Sequence, residues 1–284
     1  MLEVLVPGPL ATVQDLGRVG YAELGVSRSG ALDGAALRLA NRLVGNPEGD
    51  AGIEFTYGGA SLRAHTSVWC ALTGAPAPLS VDGRPAPYGV AFGLPSGARL
   101  EIGLPRHGIR SYLAVSGGVA VPAVLGSRST DTLSGIGPDP LRSGRVLPVG
   151  ARCDGSGPEH RVDFVPASAP GAEIRLRVRL GPRDDWFTDP GELLRQAYTA
   201  GQGDRIGVRL DGPPLDRAVS GELPSEGLLA GAIQVPGDGR PLVFLADHPT
   251  TGGYPVVGVV HPADLGLLAQ ARPGTRVFFH GSQR

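Results

Sequence analysis

Short apolar runs, each stopped within a few residues by glycine or proline, are what most restrict the folds open to this chain. They recur at Val4 to Val6, Ser67 to Leu72, Arg99 to Leu104, Ser111 to Val115, Ile174 to Leu180, Arg205 to Leu210, Leu242 to Ala246, Val256 to Val260 and Arg276 to His280. Runs of this length and β-branched content read as strands. Gly 45 and Pro 27 approach the level that suggests disorder, yet 41% hydrophobic residues is the share of a folded protein, so the excess belongs to turns. A mainly β architecture of barrels or sandwiches follows. Alternation is plainest from Ile174 to Leu180, where period two puts Arg175, Arg177 and Arg179 on one solvated or interface face.

Helices are few and short. Asp33 reads as the N-cap of a helix through Leu37, Leu39, Ala40 and Leu43 that stops at Gly45-Asn46-Pro47. Weaker candidates are Gly191 to Ala200 and Pro262 to Ala271. At 284 residues the chain is long enough for two domains. The polar, irregular stretch from Val149 to Ala172 marks the boundary, which predicts domains over 1–160 and 161–284.

All 26 basic residues are arginine, and the missing lysine excludes several chemistries. A Walker A loop, a lysine Schiff base and a covalently attached biotin each need that residue. A net charge of −1 without a basic block predicts no nucleic acid partner. Cys70 lies in an apolar run and Cys153 stands far from it, so neither a disulfide framework nor a zinc pattern is expected. The six histidines lack metal spacing, and no metal is predicted. The start lacks a basic n-region and no run of about 18 apolar residues occurs, which predicts a cytoplasmic protein with no membrane partner. Neither GxSxG nor GxGxxG appears.

Polar side chains gather in two glycine-lined clusters. In the second half, Asp247-His248-Pro249-Thr250-Thr251-Gly252-Gly253-Tyr254-Pro255 joins two strand-like runs. Its glycines permit close backbone approach to a ligand, while Asp247, both threonines and Tyr254 supply donors and acceptors. Ser225-Glu226-Gly227 and Gly231 to Pro236 add an acid, Glu226, and an amide, Gln234. In the first half, Gln14-Asp15-Leu16-Gly17-Arg18, Ser27 to Asp33, Asn41 and Glu54 bring carboxylates and arginine together. An arginine fork can hold a carboxylate or phosphate in a bidentate way, and a nearby acid can serve as general base. Gly126-Ser127-Arg128-Ser129-Thr130-Asp131 can form an anion nest. Simpler roles compete: Asp15 and Arg18 can pair to pin a turn, Asp33 can merely cap its helix, and 126–131 and 247–255 can be ordinary turns.

These motifs together resemble the allophanate hydrolase subunit 2-like, or biotin-dependent carboxyltransferase-like, family. Further residues carrying the resemblance are Pro7-Gly8, Asn46, Tyr112 to Gly118 and Arg205 to Leu210. Pro249 departs from it, standing where the family has Gln before Thr-Thr-Gly-Gly-Tyr-Pro. The resemblance implies a mainly β fold of two tandem cyclophilin-like β-barrel domains with a few short helices. It implies the C-type component of an ATP-dependent 5-oxoprolinase, opening the 5-oxoproline lactam to L-glutamate and active only with a B-type, KipI-like partner and an A-type 5-oxoprolinase component. ATP is then held with or by those partners. Two alternatives are the carboxyltransferase component of a urea carboxylase or allophanate hydrolase-like system, and a non-catalytic, KipA-like regulator that sequesters a kinase inhibitor. On this reading Asp15, Arg18, Asp33, Glu54, Asp247, Thr251 and Tyr254 are assigned to catalysis. Gln14, Asn41, Arg128, Ser129, Thr130, Glu226, Gln234, Thr250, Gly252 and Gly253 are assigned to binding a small-molecule substrate, the two clusters facing a shared cavity.

Overall fold

The computed structural model describes residues 1–151, 171–221 and 223–281. The expected boundary between residues 160 and 161, together with Cys153 and His160, lies outside the described residues. The chain forms two compact units whose membership is not two contiguous blocks, because 19–32 and 132–134 group with the second unit.

In the first unit a six-stranded sheet runs in the order Val146–Leu147, Leu2–Val6, Ala60–Ala64, Arg99–Ile102, Leu79–Val81, Arg84–Pro85. A five-stranded sheet runs Leu10–Gln14, Gly52–Thr56, Arg110–Val115, Val68–Gly74, Phe92–Leu94. Leu2, Val4, Leu62, Leu100 and Ile102 of the first sheet share one core with Val13, Ile53, Phe55, Leu72 and Leu113 of the second. Full burial of such side chains stabilises by about 1.5–3 kcal/mol each. In this half the strands form two sheets that enclose a common core, in keeping with the expected mainly β, barrel-type architecture.

The helix Gly34–Leu43 lays Ala40 and Leu43 against Ala71 and Ala114 of the five-stranded sheet. Its start is as expected: the Asp33 carboxylate accepts from the N–H of Ala36 at 3.1 Å. Asp33→Ala is expected to cost about 1 kcal/mol through the lost cap. A urea midpoint equal to that of the parent protein would remove the cap from the account.

In the second unit seven strands close into a barrel, in the order Glu173–Leu180, Val256–Val260, Ala232–Gln234, Leu242–Phe244, Gly207–Asp211, Ala197–Gly203, Arg276–Gly281. The first and last pair in parallel, from Glu173 with Arg276 to Val178 with Gly281. Inside lie Leu176, Val178, Leu210, Ile233, Val257 and Val277, joined by Leu32 from the early segment. Arg175 and Arg179 stay exposed as the alternation required. Arg177 turns to Asp264, donating from Nε at 2.9 Å and from Nη2 at 2.6 Å.

The helix expected from Gly191 to Ala200 is shorter, confined to Glu192–Arg195. The chain then becomes a strand, with Tyr198 and Ala200 buried, because it completes the barrel between two neighbours. Between Pro262 and Ala271 a turn of 3-10 helix, Pro262–Asp264, runs into Leu265–Ala269. Among the described residues no helix is long and apolar enough to cross a membrane.

Candidate functional site

In the first unit Asp15 draws the loop 126–131 around itself. Its Oδ1 accepts from the hydroxyls of Ser127 at 2.6 Å and Ser129 at 2.5 Å and from the Gly17 N–H at 2.8 Å, while Oδ2 accepts from the Arg128 N–H at 2.6 Å. The anion nest anticipated at 126–131 therefore exists, and the oxyanion it holds is the chain's own carboxylate. Burial works to raise the Asp15 pKa, but the hydrogen bonds from Ser127, Ser129, Arg128 and Gly17 outweigh it and hold the carboxyl below the usual aspartate range. Arg128 itself donates from Nε to the Val121 carbonyl at 2.8 Å.

Asp15 and Arg18 do not pair. The Arg18 guanidinium, 2% exposed, donates from Nη2 to the Ser129 carbonyl at 2.5 Å. That carbonyl is also where Gly137, at φ +96°, passes: a Cβ there would stand 2.1 Å from the Ser129 oxygen. Gln14, two strand positions from Thr12, donates from Nε2 to the Thr130 carbonyl and to the Thr12 hydroxyl, both at 3.0 Å.

Glu54 and Asp33 meet through a residue that received no role from the sequence. The buried Tyr112 hydroxyl donates to Glu54 at 2.8 Å and accepts from the Asp33 N–H at 2.8 Å. Burial, then the charges of Glu54 and Asp33, push the Tyr112 phenol well above its ordinary value, so it stays a donor. Arg110 lies 3.8 Å from Glu54. Asn41 ties its helix to the following loop, donating to the carbonyls of Glu48 at 3.2 Å and Asp50 at 2.7 Å.

In the second unit the 247–255 segment divides into an interior anchor and a surface rim. Asp247 is 0% exposed, and both its oxygens are engaged. Oδ1 accepts from Ser29 Oγ at 2.7 Å and Arg205 Nη2 at 2.9 Å; Oδ2 accepts from the N–H and Oγ1 of Thr132, both at 2.8 Å, and from Arg205 Nε at 2.9 Å. Arg205 also donates to the Gly30 carbonyl at 2.7 Å. A carboxylate with this many donors has little capacity left to take a proton from a substrate. The arrangement makes Asp247 the clamp that holds 29–30 and 132 to the barrel. Ser29, at φ 52°, occupies backbone space uncommon for a residue with a side chain, and the clamp over-determines it.

The rim contains Glu226, Thr250, Thr251, Gly252, Gly253 and Tyr254, and is tied to the buried Gln234. Thr251–Gly252 pairs with Glu226–Gly227 as a two-stranded ribbon. Gln234 donates to the Tyr254 carbonyl at 3.0 Å, and a Cβ on Gly252 would lie 2.7 Å from that amide, so the glycine permits the approach. Glu226 holds Arg183 by a two-point ion pair, which lowers its pKa. Tyr254 is 49% exposed, with the Arg217 guanidinium 6.0 Å above its ring. An exposed ring and hydroxyls on a pinned ribbon form a surface that can meet a ligand or another chain.

The residues that sequence reasoning gave no role are Arg205, Tyr112, Arg110 and Thr132. Arg205 opened a strand-like run, and a cation ahead of an apolar run that also contains an acid turn further on was the available signal.

Comparison with known proteins shows that this architecture is a carboxyltransferase-type fold. The family described as carboxyltransferase domain, subdomain A and B, matches residues 24–281, and this chain belongs to it. It is 39% identical to the 5-oxoprolinase C subunit of Escherichia coli, over 98% of this chain and 90% of that one. Among solved structures, TTHA0988 superposes with a TM-score of 0.89 at 38% identity, covering 98% of this chain and 55% of that one. The urea carboxylase of Kluyveromyces lactis superposes with a TM-score of 0.90 at 29% identity, covering 99% of this chain and 27% of that enzyme. This chain thus spans about half of TTHA0988 and about a quarter of the yeast enzyme.

Proposed function

We propose that this chain is the C-type component of an ATP-dependent 5-oxoprolinase, a hydrolase complex that opens the 5-oxoproline lactam to L-glutamate. The observation that carries the proposal is the end-to-end match with the Escherichia coli protein, which leaves little of either chain outside the alignment. The proposed partners are a B-type, KipI-like protein and an A-type 5-oxoprolinase component.

The chain carries no Walker A phosphate loop of its own. A phosphate loop needs an open helix N-terminus and a lysine. The N-terminus of Gly34–Leu43 is filled by the Asp33 carboxylate, and the chain has no lysine. On this proposal ATP is held with or by the partner proteins, and this chain's part is to bind and orient the lactam. Covalent biotin is likewise assigned elsewhere.

The test is glutamate and ADP formation from 5-oxoproline and ATP by this chain combined with its A-type and B-type partners. Product from the full set and none without this chain is expected. An inactive full set, assayed beside an active set from Escherichia coli, rejects the proposal.

The likeness to the Kluyveromyces lactis enzyme supports a second reading, the carboxyltransferase component of a urea carboxylase-type system. Co-purification with a biotinylated protein would favour it, and co-purification with the two other 5-oxoprolinase components would exclude it.

A further inference from the structure

Arg18 is a buried cation that the fold leaves unmatched. Apart from its bond to the Ser129 carbonyl, its Nε and Nη1 have no hydrogen-bond partner, and no carboxylate pairs with it among the described residues. The nearest acid in sequence, Asp15, has both oxygens committed to Gly17, Ser127, Arg128 and Ser129. Keeping an uncompensated guanidinium out of water is strongly unfavourable, and buried charges are ordinarily paired.

The bond to Ser129 still leaves a two-toothed edge open. If the carbonyl takes the Nη2 hydrogen on the Nε side, Nη1 and Nη2 keep the end-on pair. If it takes the other, Nε and Nη2 keep the side-on pair. Either edge matches the two oxygens of a carboxylate.

Gln14 supplies a complementary orphan. The Thr130 carbonyl can only accept, so it fixes the nitrogen of the Gln14 amide, and Oε1, buried, is left without a donor. Ser129 and Thr130 are consecutive, so the open fork and the open acceptor are anchored to adjacent carbonyls of one segment. Leu16 and Gly17 beside them are partly exposed and Val19 is 72% exposed, which brings this turn to the protein surface.

From these two orphans we infer that Gln14 and Arg18 bind a small acid bearing an N–H next to its carboxylate, the carboxylate on the Arg18 fork and the N–H on Gln14 Oε1. 5-Oxoproline has both groups, and the inference rests on the proposed function for that name alone. Allophanate, an acid of the urea-type reading, has the same two groups.

The experiment follows the thermal midpoint of the full chain against 5-oxoproline, allophanate, cyclopentanecarboxylate, 2-pyrrolidinone and inorganic phosphate at fixed ionic strength. Stabilisation by 5-oxoproline, a weaker response to cyclopentanecarboxylate and none to 2-pyrrolidinone are expected, because ligand binding to the folded state raises its midpoint. A larger response to allophanate assigns the site to the carboxylated product of the urea-type reaction. Arg18→Met is expected to abolish the response while melting no lower than the parent, since it removes an unpaired charge. Should that variant not fold, Arg18→Lys keeps the charge without the fork and is expected to raise the half-saturating concentration about tenfold. Equal stabilisation by phosphate, a response that survives Arg18→Met, or an unchanged half-saturating concentration in Arg18→Lys overturns the inference.

The complex separates this from the proposed function. Turnover by the three-component complex with an unchanged KM for 5-oxoproline in Arg18→Lys sinks the site and spares the function. A parent complex without turnover, in which this chain still binds 5-oxoproline through Arg18, does the reverse.

Discussion

Asp247→Ala is expected to destabilise the second unit by about 3–5 kcal/mol, the cost typical of removing one partner from a buried ion pair. The substitution takes from Arg205, 1% exposed, the buried carboxylate it meets at 2.9 Å, and it releases Ser29 and Thr132 together. Against a total stability of about 5–15 kcal/mol for an ordinary domain, this is a large share. Replacing both partners by apolar side chains, Asp247→Leu with Arg205→Met, should recover part of the loss, because both members of this buried pair are then removed together. Urea unfolding of the two single variants and the double variant measures the coupling. A single variant that unfolds at the parent's midpoint would remove the clamp from the description of the barrel.

The second large effect concerns Asp15. Asp15→Asn removes the charge and replaces one of the two oxygens that share four donors with an amide nitrogen, and hydrogen bonds to a charged group contribute about 1.5–3 kcal/mol each when made. A loss of about 2–4 kcal/mol is expected, with the 126–131 loop loosened. The pH dependence has a definite sign. The folded carboxyl lies below its unfolded value, about 3.9 for a free aspartate, so its contribution is fully present well above that value. It is lost as pH falls through the depressed folded value. Thermal midpoints of parent and variant should therefore differ most near neutrality and converge in acid. A constant gap across that range would assign the stabilisation to something other than the Asp15 charge.

The sequence made the β character legible because Ile174 to Leu180 and Val256 to Val260 follow the period of a half-buried or buried strand. It also placed the helix after Asp33 to within a residue, since a cap and a Gly-Asn-Pro stop are local signals. Strands such as Leu10–Gln14 and Ala197–Gly203 were not separable from loop or helix, because small and polar residues interrupt their apolar pattern and pairing with neighbouring strands sets their conformation. The polar turn after Ala246 read as one site. Its division into an interior acid and an exposed tyrosine depends on Arg205, 42 residues away, and on Ser29, 218 residues away. Such long-range partners leave no trace in spacing. For the same reason the anion nest at 126–131 was visible as a motif while its occupant, Asp15, was not.

The early segment 19–32 has a consequence for how the protein is made. During synthesis this stretch leaves the ribosome long before the strands that Leu32 packs among have been translated. The nascent chain must carry it unsatisfied until Arg205 and Asp247 emerge, so the barrel reaches its final form only after nearly the whole message has been read.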